Sequence, residues 1–283
     1  MLRRKGVHHM KLCKYWAMAE GTGEDAAGQK LALRKWGGSN ASLAEAKSEA
    51  ERMLRDLQSR LRDIKTQGWD KGYSYSLRDV PEELVTSINE QSGITRNGKG
   101  CLVLNTTEAM FVDIDLPPVG FFAKLFGGSR EKQEQQALAD LRQWLEARPD
   151  FSVRVYRTRA GLRYLFTHAP MAVSEETLGW LQELKSDKLY VTMCRNQKCY
   201  RARLTPKPYR LRCGQPPGHY PYDDGAAQDK FASWKSVYEE QSNEVATCAL
   251  IDTLGTGRID ASLTRLVELH DRHTKVSTNL PLA

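Results

Sequence analysis

Residues 110–118 read Met110-Phe111-Val112-Asp113-Ile114-Asp115-Leu116-Pro117-Pro118, two carboxylates that alternate with apolar residues before a double proline. Because side chains alternate across a β-strand, this pattern predicts a strand that places Asp113 and Asp115 on one face, about 7 Å apart along the chain. The apolar neighbours favour a buried central strand, where unpaired carboxylates are costly. The pair therefore indicates either a solvated strand end or a site for a divalent cation, Mg²⁺ or Mn²⁺.

The residues after this strand predict alternating helices and strands. The predicted elements are a helix at 129–148, strands at 151–156 and 162–167, a helix at 174–187 and a strand at 188–194. Together with the carboxylate strand they give the order strand, helix, strand, strand, helix, strand, which is the RRM-like or ferredoxin-like split βαβ arrangement of the α+β class. In that arrangement the carboxylate strand lies in the middle of the sheet.

Patterns on either side predict three units, at residues 1–70, 71–213 and 214–283. The first combines a β-hairpin, with strands at 11–19 and 30–36, and a long helix from the capping box at Ser42 to about Gln67. It resembles the small strand-strand-helix modules that precede phage-type integrases and bind DNA arms. The alternative is a packing appendage whose tryptophans are core.

The second unit is the predicted core, and the third is a predicted helical segment. The core opens with a short helix at 81–91 and a hairpin turning at Asn97-Gly98, a strong signal for a tight turn. The third unit is predicted to contain helices at 229–241, 245–254 and 261–273.

Composition limits the class of protein. The chain has 283 residues, 40% of them hydrophobic, and no apolar run reaches the ~18 residues that span a bilayer. The basic start lacks the apolar region of a secretory signal, so we expect no membrane association and a cytoplasmic location. A formal net charge of +7 favours a polyanionic partner.

The carboxylate strand and a later hairpin resemble the archaeo-eukaryotic primase (prim-pol) superfamily, whose catalytic core is an RRM-like sheet. That family has a hydrophobic strand ending in Asp-x-Asp, which binds the metals, and a hairpin with Gly-x-His or Ser-x-His, whose histidine contacts the incoming nucleotide. Residues 111–115 match the first motif. Residues 156–166 match the second, with Arg163 in place of the histidine.

This resemblance implies a metal-dependent nucleotidyltransferase that acts on nucleoside triphosphates and on DNA or RNA. Asp113 and Asp115 would be its catalytic, metal-binding residues. An arginine at position 163 supplies a charge for triphosphate but no neutral acceptor, which favours a divergent descendant. The third carboxylate of the family has no clear match, and Asp223 and Asp224 are candidates by default.

Basic residues in two segments predict a phosphate-binding wall opposite the carboxylates. The segment at 199–212 alternates basic with apolar residues, and its two prolines restrict it to the edge of a sheet. The alternative is a solvated edge protected by its charges. The predicted wall comprises Arg157, Arg159, Arg163, Arg201, Arg203, Lys207 and Arg210.

Two other functions remain open. One is non-catalytic binding of DNA or RNA by the basic wall, helped by stacking on Phe121, Phe122 and Phe126, which could equally pack under the next helix. The other is a metal-dependent nuclease that uses the same carboxylates, although no Glu-x-Lys partner follows them.

Two weaker patterns bear on metals. Cys194, Cys199 and Cys213, with His219, have an incomplete resemblance to zinc-ligand spacing, and reduced structural thiols are the alternative. His270-Asp271, with His273 one turn on, is similar to a metal-dependent phosphohydrolase pair, or to charges arranged at a helix end.

Overall fold

A computed structural model of the chain describes residues 12–24, 28–67, 81–118 and 129–283. Within these ranges the protein has a mixed α+β architecture with antiparallel sheets and six α-helices, which confirms the predicted class. No helix in the same ranges has the length and apolar character needed to cross a bilayer. The aromatic loop with Phe121, Phe122 and Phe126 lies outside the described residues.

The strands are β1 (Tyr15–Glu24), β2 (Lys30–Ser39), β3 (Glu83–Asn89), β4 (Ser92–Arg96), β5 (Leu102–Thr106), β6 (Phe111–Asp115), β7 (Ser152–Thr158), β8 (Gly161–Phe166), β9 (Tyr200–Arg203) and β10 (Cys248–Gly255). The helices are α1 (Leu43–Gln67), α2 (Arg130–Glu146), α3 (Glu175–Glu183), α4 (Lys188–Gln197), α5 (Gly225–Ser242) and α6 (Thr264–Thr274), with a 3₁₀ turn at Pro208–Arg210.

The N-terminal hairpin and long helix are present as predicted. Strands β1 and β2 pair in one uninterrupted antiparallel register. Helix α1 packs on this hairpin through the buried side chains of Ala50 and Leu54. At Gly37 a Cβ would lie 2.1 Å from the Ala50 backbone nitrogen, so only glycine permits this close approach.

The carboxylate strand lies at an edge of its sheet, not in the middle as predicted. The strand order is β10-β7-β8-β6, all antiparallel, with α2 connecting β6 to β7. The predicted strand at 188–194 is wrong, because these residues form α4 and so cannot pair with the free edge of β6. The predicted helix at 245–254 is also wrong, because β10 extends the sheet beside β7.

Helix α4 protects the edge that the missing strand leaves open. Asp187 donates its backbone N–H to the carbonyl of Asp113 at 3.1 Å, and the Ser186 hydroxyl donates to the same carbonyl at 3.0 Å. The Tyr190 hydroxyl donates to the carbonyl of Phe111 at 2.9 Å. These bonds satisfy edge carbonyls that would otherwise need another strand.

A second sheet, ordered β3-β4-β5-β9, contains the basic segment. The predicted helix at 81–91 is wrong, since these residues include β3, which pairs with β4. The hairpin at Asn97-Gly98 is confirmed, with Asn97 donating and accepting backbone bonds across the turn. Strand β9 pairs with β5 at the sheet edge, as the prolines after it predicted.

Candidate phosphate-binding site

Asp113 on β6 lies directly opposite Arg163 on β8. The Arg163 Nε donates to Asp113 Oδ1 at 2.7 Å, and Nη2 donates to Oδ2 at 3.0 Å, which makes a bidentate pair. Arg163 is 1% exposed, whereas the Asp113 side chain is 35% exposed. Burial opposes the charge on Arg163, but Asp113 outweighs it and raises the pKa of the guanidinium.

Behind Arg163 lies a buried chain of hydrogen bonds. Its Nη1 donates to the carbonyl of Arg203 at 2.9 Å and lies 3.4 Å from His270 Nε2. His270 is fully buried, and burial lowers the pKa of its imidazole to about 4, so the ring is neutral near pH 7. Because arginine only donates, Nε2 is the acceptor and the ring hydrogen is on Nδ1. That nitrogen lies 3.0 Å from Asp271 Oδ1.

Asp271 ends the chain on the other side of His270. It accepts from the Tyr156 hydroxyl at 2.8 Å and from Arg154 Nη2 at 2.6 Å. The His270-Asp271 pair is therefore an internal link between α6 and the carboxylate sheet. The sequence signal for this link is the position of His270, which continues an apolar stripe formed by Leu263 at the N-cap and by Leu266 and Val267 on α6.

The donor set around Asp113 does not fit the metal centre that the resemblance implies. Both carboxylate oxygens already accept from Arg163. Asp115 lies on the same face of β6 and is exposed, as expected from the alternation. In the described part of the chain, no group of three or more His, Cys, Asp and Glu side chains gathers as metal ligands do. Metal binding by the two aspartates stays a prediction.

The other residues predicted as metal ligands are buried in the fold or make structural hydrogen bonds. Cys194 and Cys199 are buried free thiols, and burial raises the pKa of each to about 12. The Cys213 thiol lies 3.9 Å from the carbonyl of Pro208. Asp224 caps α5 by accepting from the backbone N–H of Ala227 at 2.7 Å.

Three of the seven residues of the predicted wall are neutralised by carboxylates. Besides Arg163, Arg157 pairs with Glu134 through two bonds of 2.8 and 2.6 Å. Arg201, which is 6% exposed, pairs with Glu82 at 2.6 Å. These guanidinium groups link different elements of the fold, and two of them, Arg163 and Arg201, are buried.

Arg203, Lys207 and Arg210 form no ion pair with any described carboxylate, and exposed Arg159 shares this property. Arg203 stands out because its Nε is buried and has no hydrogen-bond partner among the described residues. Desolvation and repulsion from Arg163 lower the pKa of Arg203. A charged donor that is buried without an acceptor is costly, so this arginine favours an anionic ligand.

Tyr209 lies between the other two cations. Its ring centroid is 5.8 Å from Lys207 Nζ and 5.7 Å from Arg210 Cζ, and the residue is 58% exposed. Partial burial raises the pKa of the phenol, but the charges of Lys207 and Arg210 have the larger effect, so the pKa of Tyr209 is lowered overall. We call Arg203, Lys207, Tyr209 and Arg210 the basic turn.

The framework under the basic turn is well anchored. The Tyr238 hydroxyl of α5 donates to the carbonyl of Pro206 at 2.7 Å, and the backbone N–H of Leu204 donates to Leu102 at 2.8 Å. The N–H of Arg210 donates to the carbonyl of Lys207 at 2.9 Å, which closes the 3₁₀ turn. The cations are therefore presented from a fixed backbone, which reduces the entropic cost of binding.

Comparisons of this chain with protein-family models, with curated proteins and with solved structures found no match. The prim-pol resemblance therefore stays a prediction from short motifs.

Sequence reasoning missed two features of this site. Tyr209 was not singled out, although the run Lys207-Pro208-Tyr209-Arg210 places an aromatic ring among cations. The difference between Arg201 and Arg203 was also missed, because both lie on the same short strand and their partners come from distant parts of the chain.

Proposed function

We propose that this chain is a divergent primase-like protein that binds the phosphates of nucleic acid or nucleoside triphosphates at the basic turn. The observation that carries this proposal is the group of three cations without carboxylate partners, Arg203, Lys207 and Arg210, the last two of which flank the exposed ring of Tyr209. One of them, Arg203, also has a buried donor without an acceptor. A phosphate bound to the Arg203 side chain, which is only partly buried, would offset the cost of burying its charge.

The charge distribution favours a polyanionic ligand over a single small acid. The chain has a formal net charge of +7, and the cations of the basic turn follow one another along a short segment, as successive phosphates do. Tyr209 offers an aromatic face on which a base can stack, and stacking of this kind contributes about 1–3 kcal/mol per base. Phosphate contacts and stacking together favour nucleotides over other polyanions.

The variant Arg203→Met/Lys207→Gln/Arg210→Gln tests this proposal. We expect its affinity for a fluorescent oligothymidine at low salt to fall by roughly 100-fold or more, since each charge-assisted bond contributes about 1.5–3 kcal/mol. The slope of log affinity against log salt should fall by about 2, at ~0.7 for each lost phosphate contact. Fluorescence anisotropy over a salt series measures both quantities.

A matched control removes the same charge elsewhere. Arg142, Lys185 and Arg195 are surface cations paired with Asp252, Asp140 and Glu175. Changing all three to Gln lowers the net charge equally, and we expect the salt slope to remain that of the parent. Equal losses in both variants would mean that overall charge, and not the basic turn, binds the nucleic acid.

A second candidate, nucleotidyl transfer, competes with metal-free binding and rests on the position of Asp113 and Asp115 on one face of β6. It predicts Mn²⁺-dependent incorporation of a labelled nucleotide that Asp115→Asn abolishes. Asp115 is exposed, so this variant should keep the stability of the parent. Incorporation that is equal in both proteins would exclude Asp115 from catalysis. Calorimetric titration of nucleoside triphosphate with and without Mn²⁺ separates this candidate from metal-free binding.

A further inference from the structure

We infer that Arg163 is a fixed internal cation on Asp113, and that the basic turn therefore binds phosphate without a divalent metal. The second half of this inference rests on the proposed function. The first half concerns only the buried ion pair and can be tested by itself.

The position of Arg163 is fixed from both sides. Nε and Nη2 hold the two Asp113 oxygens, while Nη1 donates to the Arg203 carbonyl and faces His270 Nε2. The Cys248 sulfur lies 3.8 Å from the same Nη1. Each of the three guanidinium nitrogens has a partner, so any displacement of this buried side chain would leave several donors unsatisfied.

A divalent ion at Asp113 would compete with this guanidinium. The carboxylate presents its two oxygens to a planar fork that matches them, which is the strongest geometry available to such a pair. Displacing the fork would leave a charged side chain, 1% exposed, without its counter-ion. The arrangement therefore disfavours a metal at the position where the family resemblance predicts one.

The ion pair also changes what a phosphate meets at the basic turn. Arg163 donates to the backbone carbonyl of Arg203, and its repulsion of the Arg203 guanidinium outweighs the attraction that Asp113 exerts on it. A bare carboxylate here would repel phosphate, and a metal would be needed to screen it. With Arg163 in place the carboxylate is already neutralised, so phosphate can bind Arg203 directly.

The parent protein provides the first test. We expect no protein-bound Mn²⁺ in electron paramagnetic resonance titrations, and no gain in oligothymidine affinity when Mn²⁺ replaces EDTA. Mn²⁺ bound by the parent and lost in Asp113→Asn would overturn the inference. An absence of oligothymidine binding under every condition would instead reject the proposed function, so the two failures are distinguishable.

Arg163 variants provide the second test. Arg163→Gln removes the cation, and we expect the folded variant to bind Mn²⁺ and so to deplete the signal of the free ion. The double variant Arg163→Gln/Asp113→Asn should not bind Mn²⁺. Arg163→Lys retains a charge and should behave as the parent does. A folded Arg163→Gln protein that binds no Mn²⁺ would overturn the inference. If this variant does not fold, the result from the parent decides.

Discussion

Arg201→Met is expected to lower the free energy of unfolding by about 3–5 kcal/mol, because removing one partner of a buried ion pair leaves the other uncompensated. Arg201 donates to Glu82 Oε1 at 2.6 Å and to Gln197 Oε1 at 2.7 Å. The Glu82 side chain is 16% exposed, so little water would replace the lost cation. Urea denaturation of parent and variant measures the difference.

Arg203→Met is the matched comparison, two residues further along β9. Arg203 has a buried Nε without a hydrogen-bond partner, and desolvation lowers the pKa of the guanidinium. The charge of Arg203 therefore destabilises the folded state. We expect the variant to be at least as stable as the parent and to bind oligothymidine more weakly. Arg201→Met should show the opposite pattern, with binding retained by the folded protein. A variant Arg203→Met that unfolds easily and binds normally would show that both arginines are structural.

Lowering the pH from 7 to 5 is expected to reduce the stability contributed by His270 by about 2 kcal/mol, at ~1.36 kcal/mol per pKa unit. The imidazole has a pKa of about 4 in the fold and a reference value of 6.5. The unfolded chain therefore takes up the proton first as the pH falls below 6.5, and stability is lost down to about pH 4. Above pH 6.5 the contribution is fully present.

His270→Leu isolates this contribution. Burial also lowers the pKa of His168 and His273, so these two residues should add to the loss of stability that the parent shows on acidification. The difference in pH slope between parent and His270→Leu belongs to His270 alone. His219→Gln changes an exposed histidine and is the control. Equal slopes in the parent and His270→Leu would show that the imidazole is not buried neutral against Arg163.

Local sequence signals predicted those elements whose geometry depends on neighbouring residues. The alternation at 111–115 identified β6 and the common face of Asp113 and Asp115, and Asn97-Gly98 identified the hairpin. Ser129 and Ser174 were expected to begin helices, and both side chains accept a backbone N–H in the first turn. In each case the information lies within a few residues.

The secondary structure predicted for two short apolar runs is wrong. Residues 188–194 and 245–254 have lengths at which periodicity does not separate a strand from a helix. The outcome was decided by neighbours: α4 covers the free edge of β6, and β10 finds a partner in β7. Because residues 188–194 form a helix and residues 245–254 form a strand beside β7, the carboxylate strand lies at the edge of the sheet and not at its predicted central position.

The roles of the basic residues were decided by the tertiary structure. Charge and spacing in the sequence indicated a basic, polyanion-binding protein, because composition alone sets the net charge. Which arginines are free depends on partners far along the chain, since Arg163 meets Asp113 across 50 residues and Arg201 meets Glu82 across 119. An ion pair needs two charges brought within about 4 Å, and only the folded chain establishes that distance.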